Sequence, residues 1–139
     1  MNSNRATFPK NERLSRTYLV ETLFQKGLSF VAYPLRVIYY PIENVWASEK
    51  PSPTIVPNAP ISVLISVPKK KIKHAVDRNY IKRRIRESYR LRKHDLIHLF
   101  AKKNKNLLLA FIYLNEEKSS FDKIDKAISK ALQRLVDRD

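Results

Sequence analysis

The segment from Pro68 to His94 constrains the fold most, because it is strongly basic and also has the periodicity of a helix. It reads PKKKIKHAVDRNYIKRRIRESYRLRKH, with 12 Lys and Arg residues against two acidic residues between Lys69 and Lys93. The difference, +10, is most of the net charge of +15 carried by the 139 residues. Any fold of this chain must therefore bury one side of a helix whose other side is highly charged.

Helical phasing separates this segment into two arcs, for a helix that runs from His74 or Ala75 to Lys93. At about 100° per residue, the arc that can pack against a sheet contains Ile81, Ile85, Ser88 and Tyr89. The neighbouring arc contains Asn79, Lys82, Arg83, Arg86, Arg90 and Lys93. Like charges four residues apart destabilise an isolated helix by a few tenths of a kcal/mol per pair. Concentrating them on one arc favours an anionic partner over a merely solvated face.

Composition sets the broad class of the protein. A hydrophobic content of 43% is sufficient for a core, and 139 residues predict one domain, 1–139, with a flexible N-terminus at 1–12. A pI near 10.2 indicates a polyanionic partner, either nucleic acid or an anionic membrane surface. The sequence contains neither an apolar run long enough to span a bilayer nor an N-terminal secretory signal. The lack of cysteine fits a cytoplasmic location.

The first half of the chain predicts a helix and two strands. A helix is expected over 16–26, with Ser15 as N-cap, Gly27 as a left-handed C-terminal residue, and Val20, Leu23 and Phe24 on its core face. A strand is expected over 35–40, between Pro34 and Pro41. The segment 43–60 is rich in proline and predicts a long surface loop. Residues 61–67 alternate as in a strand with one core face.

The second half predicts a strand and a helix after the basic segment. Residues 95–105 suggest a helix end and a loop, and the wholly apolar run 107–114 indicates a central strand. Ser119 or Ser120 can cap a last helix. Its apolar stripe contains Phe121, Ile124, Ile128, Ala131, Leu132 and Leu135. The predicted fold is α+β, a single-domain α/β sandwich of order αβ(β)βαβα, with a further strand left open within 41–60.

The sequence gives little support for a catalytic site within the protein. The single glycine excludes a glycine-rich phosphate loop and a glycine-containing nucleophile elbow. His94 and His98 are four residues apart and could share a metal, but the HExxH pattern is missing, so surface histidines are the favoured interpretation. Acidic residues 116, 117, 122 and 125 fit a turn and the first turn of a helix. No catalytic residue and no metal ligand is predicted in the protein.

At the basic helix the sequence resembles the protein subunit of bacterial ribonuclease P. The family pattern is a Ser-Val-x-Lys-Lys strand end followed by Ala-Val-x-Arg-Asn-Arg-x-Lys-Arg-x-x-Arg-Glu. It stands here as 66–70, SVPKK, and 75–87, AVDRNYIKRRIRE. The similarity extends upstream through Arg13-Leu14, the run 24–27 and Ser29, and covers about residues 13–136. The segment 43–60 has the character of an insertion.

Three residues depart from the family pattern. Tyr80 stands where the pattern has its second arginine, so stacking or a hydrogen bond would replace a charged contact. Val20 stands where relatives often carry a further phenylalanine, and Pro68 replaces a small residue.

The resemblance implies a left-handed βαβ crossover around the basic helix and a division of labour. A catalytic RNA with bound Mg²⁺ would cleave precursor tRNA, and the protein would bind both RNAs, without a membrane or an obligate protein partner. The residues implied to face the catalytic RNA are Lys69, Lys70, Arg78, Asn79, Tyr80, Lys82, Arg83, Arg86 and Arg90. The residues implied to line a cleft for the 5′ leader are Phe24, Arg36 and one of Tyr39 and Tyr40.

Other functions remain open from the residues alone. A general basic RNA-binding or ribosome-associated protein would share the charge pattern but would not stimulate catalysis. A protein-only nuclease lacks a credible carboxylate or histidine site. A membrane-surface role would need a free apolar face, whereas Ile81 and Ile85 are better used against the sheet.

Overall fold

The computed structural model describes residues 17–43, 60–103 and 105–138. The elements in chain order are α1 (Thr17–Lys26), β1 (Leu28–Ala32), β2 (Leu35–Glu43), β3 (Ile61–Ser66), α2 (Ala75–Arg92), α3 (His94–Lys102), β4 (Lys105–Tyr113) and α4 (Phe121–Arg138). The predicted Ser15 cap, the flexible segment 1–12 and nearly all of the loop 43–60 lie outside the described residues. The α+β class is confirmed.

The four strands form one mixed sheet in the order β1-β2-β4-β3. β2 is antiparallel to both β1 and β4, whereas β3 and β4 are parallel. Residues Leu107 to Phe111 of β4 have no exposed surface. An unbroken apolar run is what a strand covered on both faces requires, so the prediction of a central strand is confirmed.

Helices cover both faces of the sheet, but unequally. α1 packs on one face, called here the α1 face, where Leu19 and Leu23 contact Leu108 and Ala110. The apolar residues of α2, α3 and α4 form the larger core on the opposite face with Leu109, Phe111 and the other inward residues of the sheet. The apolar stripe predicted for α4 is confirmed for Ile124, Ile128, Ala131, Leu132 and Leu135, which are all buried, whereas Phe121 is half-buried.

The chain connects the parallel neighbours β3 and β4 through a long crossover. A hairpin cannot join parallel strands, so the chain must cross a face of the sheet to re-enter at the same end. The crossover consists of α2 and α3. The left-handed sense implied by the resemblance stays a prediction.

The structure adds a helix and a strand to the predicted order. The segment 95–105, expected to be a helix end and a loop, is largely the separate helix α3, which buries Leu96 and Phe100 four residues apart. β1 precedes β2 and was not predicted, whereas the further strand left open within 41–60 falls almost entirely outside the described residues. β1 is an edge strand of five residues with alternating, mostly exposed side chains, and its shortness explains why it was not predicted.

Pro41 does not end the strand before it, contrary to the expectation. β2 continues to Glu43, with Pro41 opposite Leu107. The Leu107 N–H points to the other side and donates to the Pro60 carbonyl at 2.7 Å, so Pro41 and Leu107 form a pair without ladder hydrogen bonds. The nitrogen of Pro41 therefore faces the β1 side, where pairing stops at Leu28 and Tyr39. An absent N–H costs nothing there.

Gly27 is required for space and not for a left-handed backbone, which corrects the prediction. Its N–H donates to the Leu23 carbonyl at 2.8 Å, but its φ is not positive. A Cβ at this position would collide with the Leu23 carbonyl oxygen and would lie 2.8 Å from Ile38 Cγ2. The glycine therefore allows α1 to end directly against β2.

We expect Gly27→Ala to lower the free energy of unfolding by about 1–3 kcal/mol, the usual cost of inserting a methyl group into a packed contact. Urea denaturation of the full chain measures it. Ser29→Ala, at an exposed position in β1, is the matched control and should stay within about 0.5 kcal/mol of the parent. Equal stability of Gly27→Ala and the parent would contradict the steric explanation.

Candidate nucleic-acid interface

The basic helix α2 lies against the core with the face that its phasing predicts. Ile81, Ile85, Ser88 and Tyr89 are buried. The polar and basic residues on the other side remain open to solvent, together with the lysines that follow β3. We call these residues the basic helix surface: Lys69, Lys70, Asn79, Lys82, Arg83 and Arg86. Lys82 is half-buried and the rest are exposed.

Arg78 fixes the linker that leads into α2. Its Nη1 donates to the carbonyl oxygens of Ile72, at 3.0 Å, and Lys73, at 2.7 Å. The N–H groups of Lys71 and Ile72 both donate to the Pro68 carbonyl. The linker is thereby folded into a turn that buries Ile72 and leaves Lys69 and Lys70 exposed beside the helix.

Two other cations of the predicted basic arc are engaged within the protein. Arg90 forms a two-point pair with Glu87, with Nε 3.1 Å and Nη2 2.6 Å from its carboxylate oxygens. The hydrogen bond from Arg90 holds the pKa of Glu87 below its usual range. Lys93 is only 3% exposed and has a partner, because α2 ends at Arg92 and α3 begins at His94. The prediction that Lys93 lies on the exposed basic arc of the helix is therefore wrong.

Two cationic side chains lie over the ring of Tyr80, the residue that departs from the family pattern. The Arg84 guanidinium lies 4.5 Å and the Lys118 ammonium 5.1 Å from the ring centroid. Lys118 also pairs with Asp77 at 2.9 Å, and this hydrogen bond raises the pKa of Lys118. An arginine at position 80 would add a third cation at this place, so the tyrosine is consistent with its neighbours.

The rotation of α2 about its axis is fixed by a polar clamp to α4. Asp125 accepts hydrogen bonds from Ser88 Oγ at 2.6 Å and from the Arg92 guanidinium at 2.7 and 2.6 Å. The Arg92 bond, with the Ser88 bond beside it, holds the pKa of Asp125 below its usual range despite partial burial. Asp125 was expected only to complement the helix dipole. Its contact with α2 could not be read from a single sequence.

The residues predicted to line a cleft divide between the two faces of the sheet. Tyr40 lies on the α1 face, against the cluster of Leu19 and Leu23. Tyr39 points to the opposite core, where its hydroxyl accepts a hydrogen bond from Arg138 at 2.6 Å. Strand alternation places exposed Arg36 on the same face as Tyr40. Of the two tyrosines, Tyr40 is therefore the one beside α1.

The α1 face includes one neighbour that the sequence did not indicate, Ile112, together with the predicted Phe24. Ile112 of β4 lies between Arg36 and Ser66 in the register of the sheet. Phe24, near the end of α1, is 46% exposed, so the prediction that it lies on the core face of α1 is wrong. The sheet order was needed to find this group, since its strands are distant in sequence. The result is a half-open surface with an aromatic ring, an apolar floor and a cation.

Within residues 17–43, 60–103 and 105–138, no three His, Cys, Asp or Glu side chains come close enough to hold a metal ion together. His98 is exposed and His94 half-buried. Across the same ranges, no helix is both long and apolar enough to cross a bilayer.

The fold and its exposed cations define a basic α+β protein of the class that binds polyanions. A family model described as Ribonuclease P matches residues 8–136. The chain therefore belongs to the ribonuclease P protein family, as the protein component of a ribonucleoprotein endoribonuclease that acts in tRNA 5′ processing together with an RNA subunit.

Individual relatives agree with this assignment. The chain is 37% identical over 133 residues to the ribonuclease P protein component of Porphyromonas gingivalis strain ATCC 33277, covering 94% of this chain and 89% of the relative. It is 46% identical over 112 residues to that of Chlorobaculum tepidum, covering 76% and 66%. The solved structure of the Staphylococcus aureus RNase P protein has the same fold, with a TM-score of 0.61 and 20% identity over 89% of this chain and 94% of that one.

We expect Asp125→Asn to lower the free energy of unfolding at pH 7 by about 1 kcal/mol, since it weakens a partly exposed charged clamp. The folded-state pKa of Asp125 lies below the unfolded value of about 3.9. The clamp's stabilisation is therefore complete above about pH 5 and is lost as the pH falls through the unfolded and then the folded pKa. Denaturant titrations from pH 7 to pH 3 should show the two proteins converging.

The control for this variant is Asp137→Asn, which removes an exposed carboxylate from the same helix. Asp137 contacts Gln133 of its own helix at 3.0 Å, so its loss should change stability by no more than about 0.5 kcal/mol. A difference between Asp125→Asn and the parent that persists unchanged at pH 3 would contradict the charge-based clamp.

Proposed function

We propose that this protein binds the catalytic RNA of ribonuclease P through the basic helix surface and holds the 5′ leader of precursor tRNA on the α1 face. The observation that carries the proposal is the uncompensated charge of α2. Its two acidic residues, Asp77 and Glu87, pair with Lys118 and Arg90. Neither partner belongs to the basic helix surface, whose cations therefore remain available to an external anion.

The composition of this surface suits RNA. Arg83 and Arg86 can each grip two phosphate oxygens, whereas lysines act as point charges. Displacing counterions from the RNA by these cations makes binding strongly dependent on salt. Arg78 and Arg90 stay in the proposed contact set, because a guanidinium has five N–H donors and can contact a phosphate while it keeps an internal bond. Asn79 and Tyr80 would supply a polar and an aromatic contact beside them.

The α1 face suits a single strand for different reasons. Arg36 offers a charge for a phosphate, and Phe24 and Tyr40 offer rings on which unpaired bases can stack. Tyr39 is not part of this proposed contact, since it lies on the opposite face. A leader held here would be fixed relative to the helix that binds the catalytic RNA. Positioning of this kind lowers the entropic cost of bringing two large RNAs together.

We infer that the RNA subunit performs the cleavage and binds the Mg²⁺ ions. In the described part of the chain, no three His, Cys, Asp or Glu side chains lie close enough to bind a divalent ion together. The protein's contribution is then indirect: its cations reduce repulsion between the catalytic RNA and its substrate, which lets productive binding occur at lower Mg²⁺.

The purified full chain, added to the cognate catalytic RNA and precursor tRNA at low Mg²⁺, should restore accurate 5′ cleavage that the RNA alone performs poorly. The measurement is the single-turnover cleavage rate across a Mg²⁺ titration, with the cleavage site mapped by product length. A general RNA-binding protein would bind both RNAs without stimulating cleavage, and a protein-only nuclease would cleave without the RNA.

Arg86→Ala connects this activity to the basic helix surface. It should weaken binding of the catalytic RNA and lower the slope of log affinity against log salt by about one, as expected for one lost phosphate contact. Lys102→Ala removes one charge from an exposed position at the end of α3 and serves as the control. An unchanged slope for Arg86→Ala would remove this residue from the contact set.

We expect Arg36→Ala to weaken holoenzyme binding of precursor tRNA by about 1–2 kcal/mol, through a lost charge-assisted contact, and to leave binding of mature tRNA unchanged. Only the precursor carries a leader, so the ratio of the two affinities isolates the α1 face. Lys102→Ala should leave both affinities as they are. Equal losses for precursor and mature tRNA would place Arg36 outside a leader contact.

A further inference from the structure

A groove lies between the β1–β2 hairpin and α4, on the side of the hairpin away from the α1 face. It has a volume of about 560 Å³, within the range of ordinary ligand sites. The hairpin contributes Phe30 and the turn at Tyr33, and α4 contributes the opposite wall. This groove involves none of the residues of the basic helix surface and neither Phe24 nor Tyr40.

The α4 wall of this groove is a ladder of cations. Lys123, Lys126, Lys130 and Arg134 line it, at spacings of three, four and four residues that keep them on one side of a helix. None of the described residues that line the groove is acidic. Like charges at this spacing repel one another. The apolar stripe of α4 does not account for them, since it faces the core.

The hairpin wall supplies aromatic surface next to these cations. The Tyr33 side chain is 65% exposed, so its ring is open to solvent at the edge of the groove. Phe30 lies deeper, with the Arg134 guanidinium 4.4 Å from its ring centroid and Tyr39 packed edge-on at 5.8 Å. Arg134 is thus held above a ring with its other side free to meet a base or a phosphate.

We propose that this groove between α4 and the β1–β2 hairpin is a second RNA-binding site, which takes a single-stranded segment. Cations in a row follow a sugar-phosphate backbone, and exposed rings stack on unpaired bases, which is the combination that single-strand binding needs. A duplex keeps its bases stacked on one another and offers no face to Tyr33. An acidic peptide would satisfy the lysines but would leave the exposed ring unused.

Binding of a fluorescein-labelled oligouridylate of about 12 nucleotides to the full chain tests this site. Lys126→Gln/Lys130→Gln should lower the slope of log affinity against log salt by about 1.4, or about 0.7 for each lost phosphate contact on a single strand. Tyr33→Ala should weaken binding roughly five-fold or more through lost stacking. The control, Lys102→Gln/Lys103→Gln, also removes two positive charges, but at the end of α3, and should leave the slope unchanged.

The location is read out by crosslinking with the same oligomer carrying 4-thiouridine. Crosslinks to Tyr33 or to peptides of α4 support the groove. Crosslinks confined to the α1 face or to α2, or equal slopes for the two double variants, would overturn it. Competition by a duplex of equal length as strongly as by the single strand would also contradict it. Since the assay uses the protein alone, its result is independent of whether the chain stimulates the catalytic RNA.

Discussion

The parallel pairing of β3 with β4 is the constraint on which the rest of the structure depends. Because these neighbours are parallel, the chain must leave the sheet after Ser66 and return at Lys105 from the same end. The chain between these two strands contains α2 and the lysines that flank it, and together they carry most of the excess charge. The basic helix is thus not an appendage, since Ile81, Ile85 and Tyr89 close the core under the sheet. The same eighteen-residue helix holds the fold together and presents the cations.

Strong periodicity explains which elements could be predicted. α2 and α4 have apolar stripes, and the run 107–114 that forms most of β4 is wholly apolar, so each element was expected within a few residues of its observed bounds. α3 was missed because its short stripe, centred on Leu96 and Phe100, lies between polar and basic residues and resembles a helix end. β1 has no buried alternation, because it lies at an edge. The continuation of β2 through Pro41 depended on where pairing with β1 stops, which is a tertiary fact.

The candidate site divides in the same way. Phasing alone separated the buried arc of α2 from the basic one, because helical geometry fixes directions within an element. It could not show which cations find internal partners. Arg90 takes Glu87, Arg92 takes Asp125, and Lys93 is buried at the junction with α3. The choice between Tyr39 and Tyr40 also required the observed sheet. Consecutive residues of a strand point to opposite faces, so an error of one residue places the ring on the wrong face.

These internal pairs concentrate the charge that remains. Asp77, Glu87 and Asp125 neutralise cations beside the basic helix surface and none within it, so positive potential stays where an RNA would lie. A net charge of +15 repels itself and opposes compaction. A bound polyanion relieves that repulsion most in the folded state, where the cations are aligned, so binding and folding favour each other by mass action. The exposed cations along α2 and α4 therefore repel one another in the free protein, and a phosphate backbone along either row would relieve that repulsion.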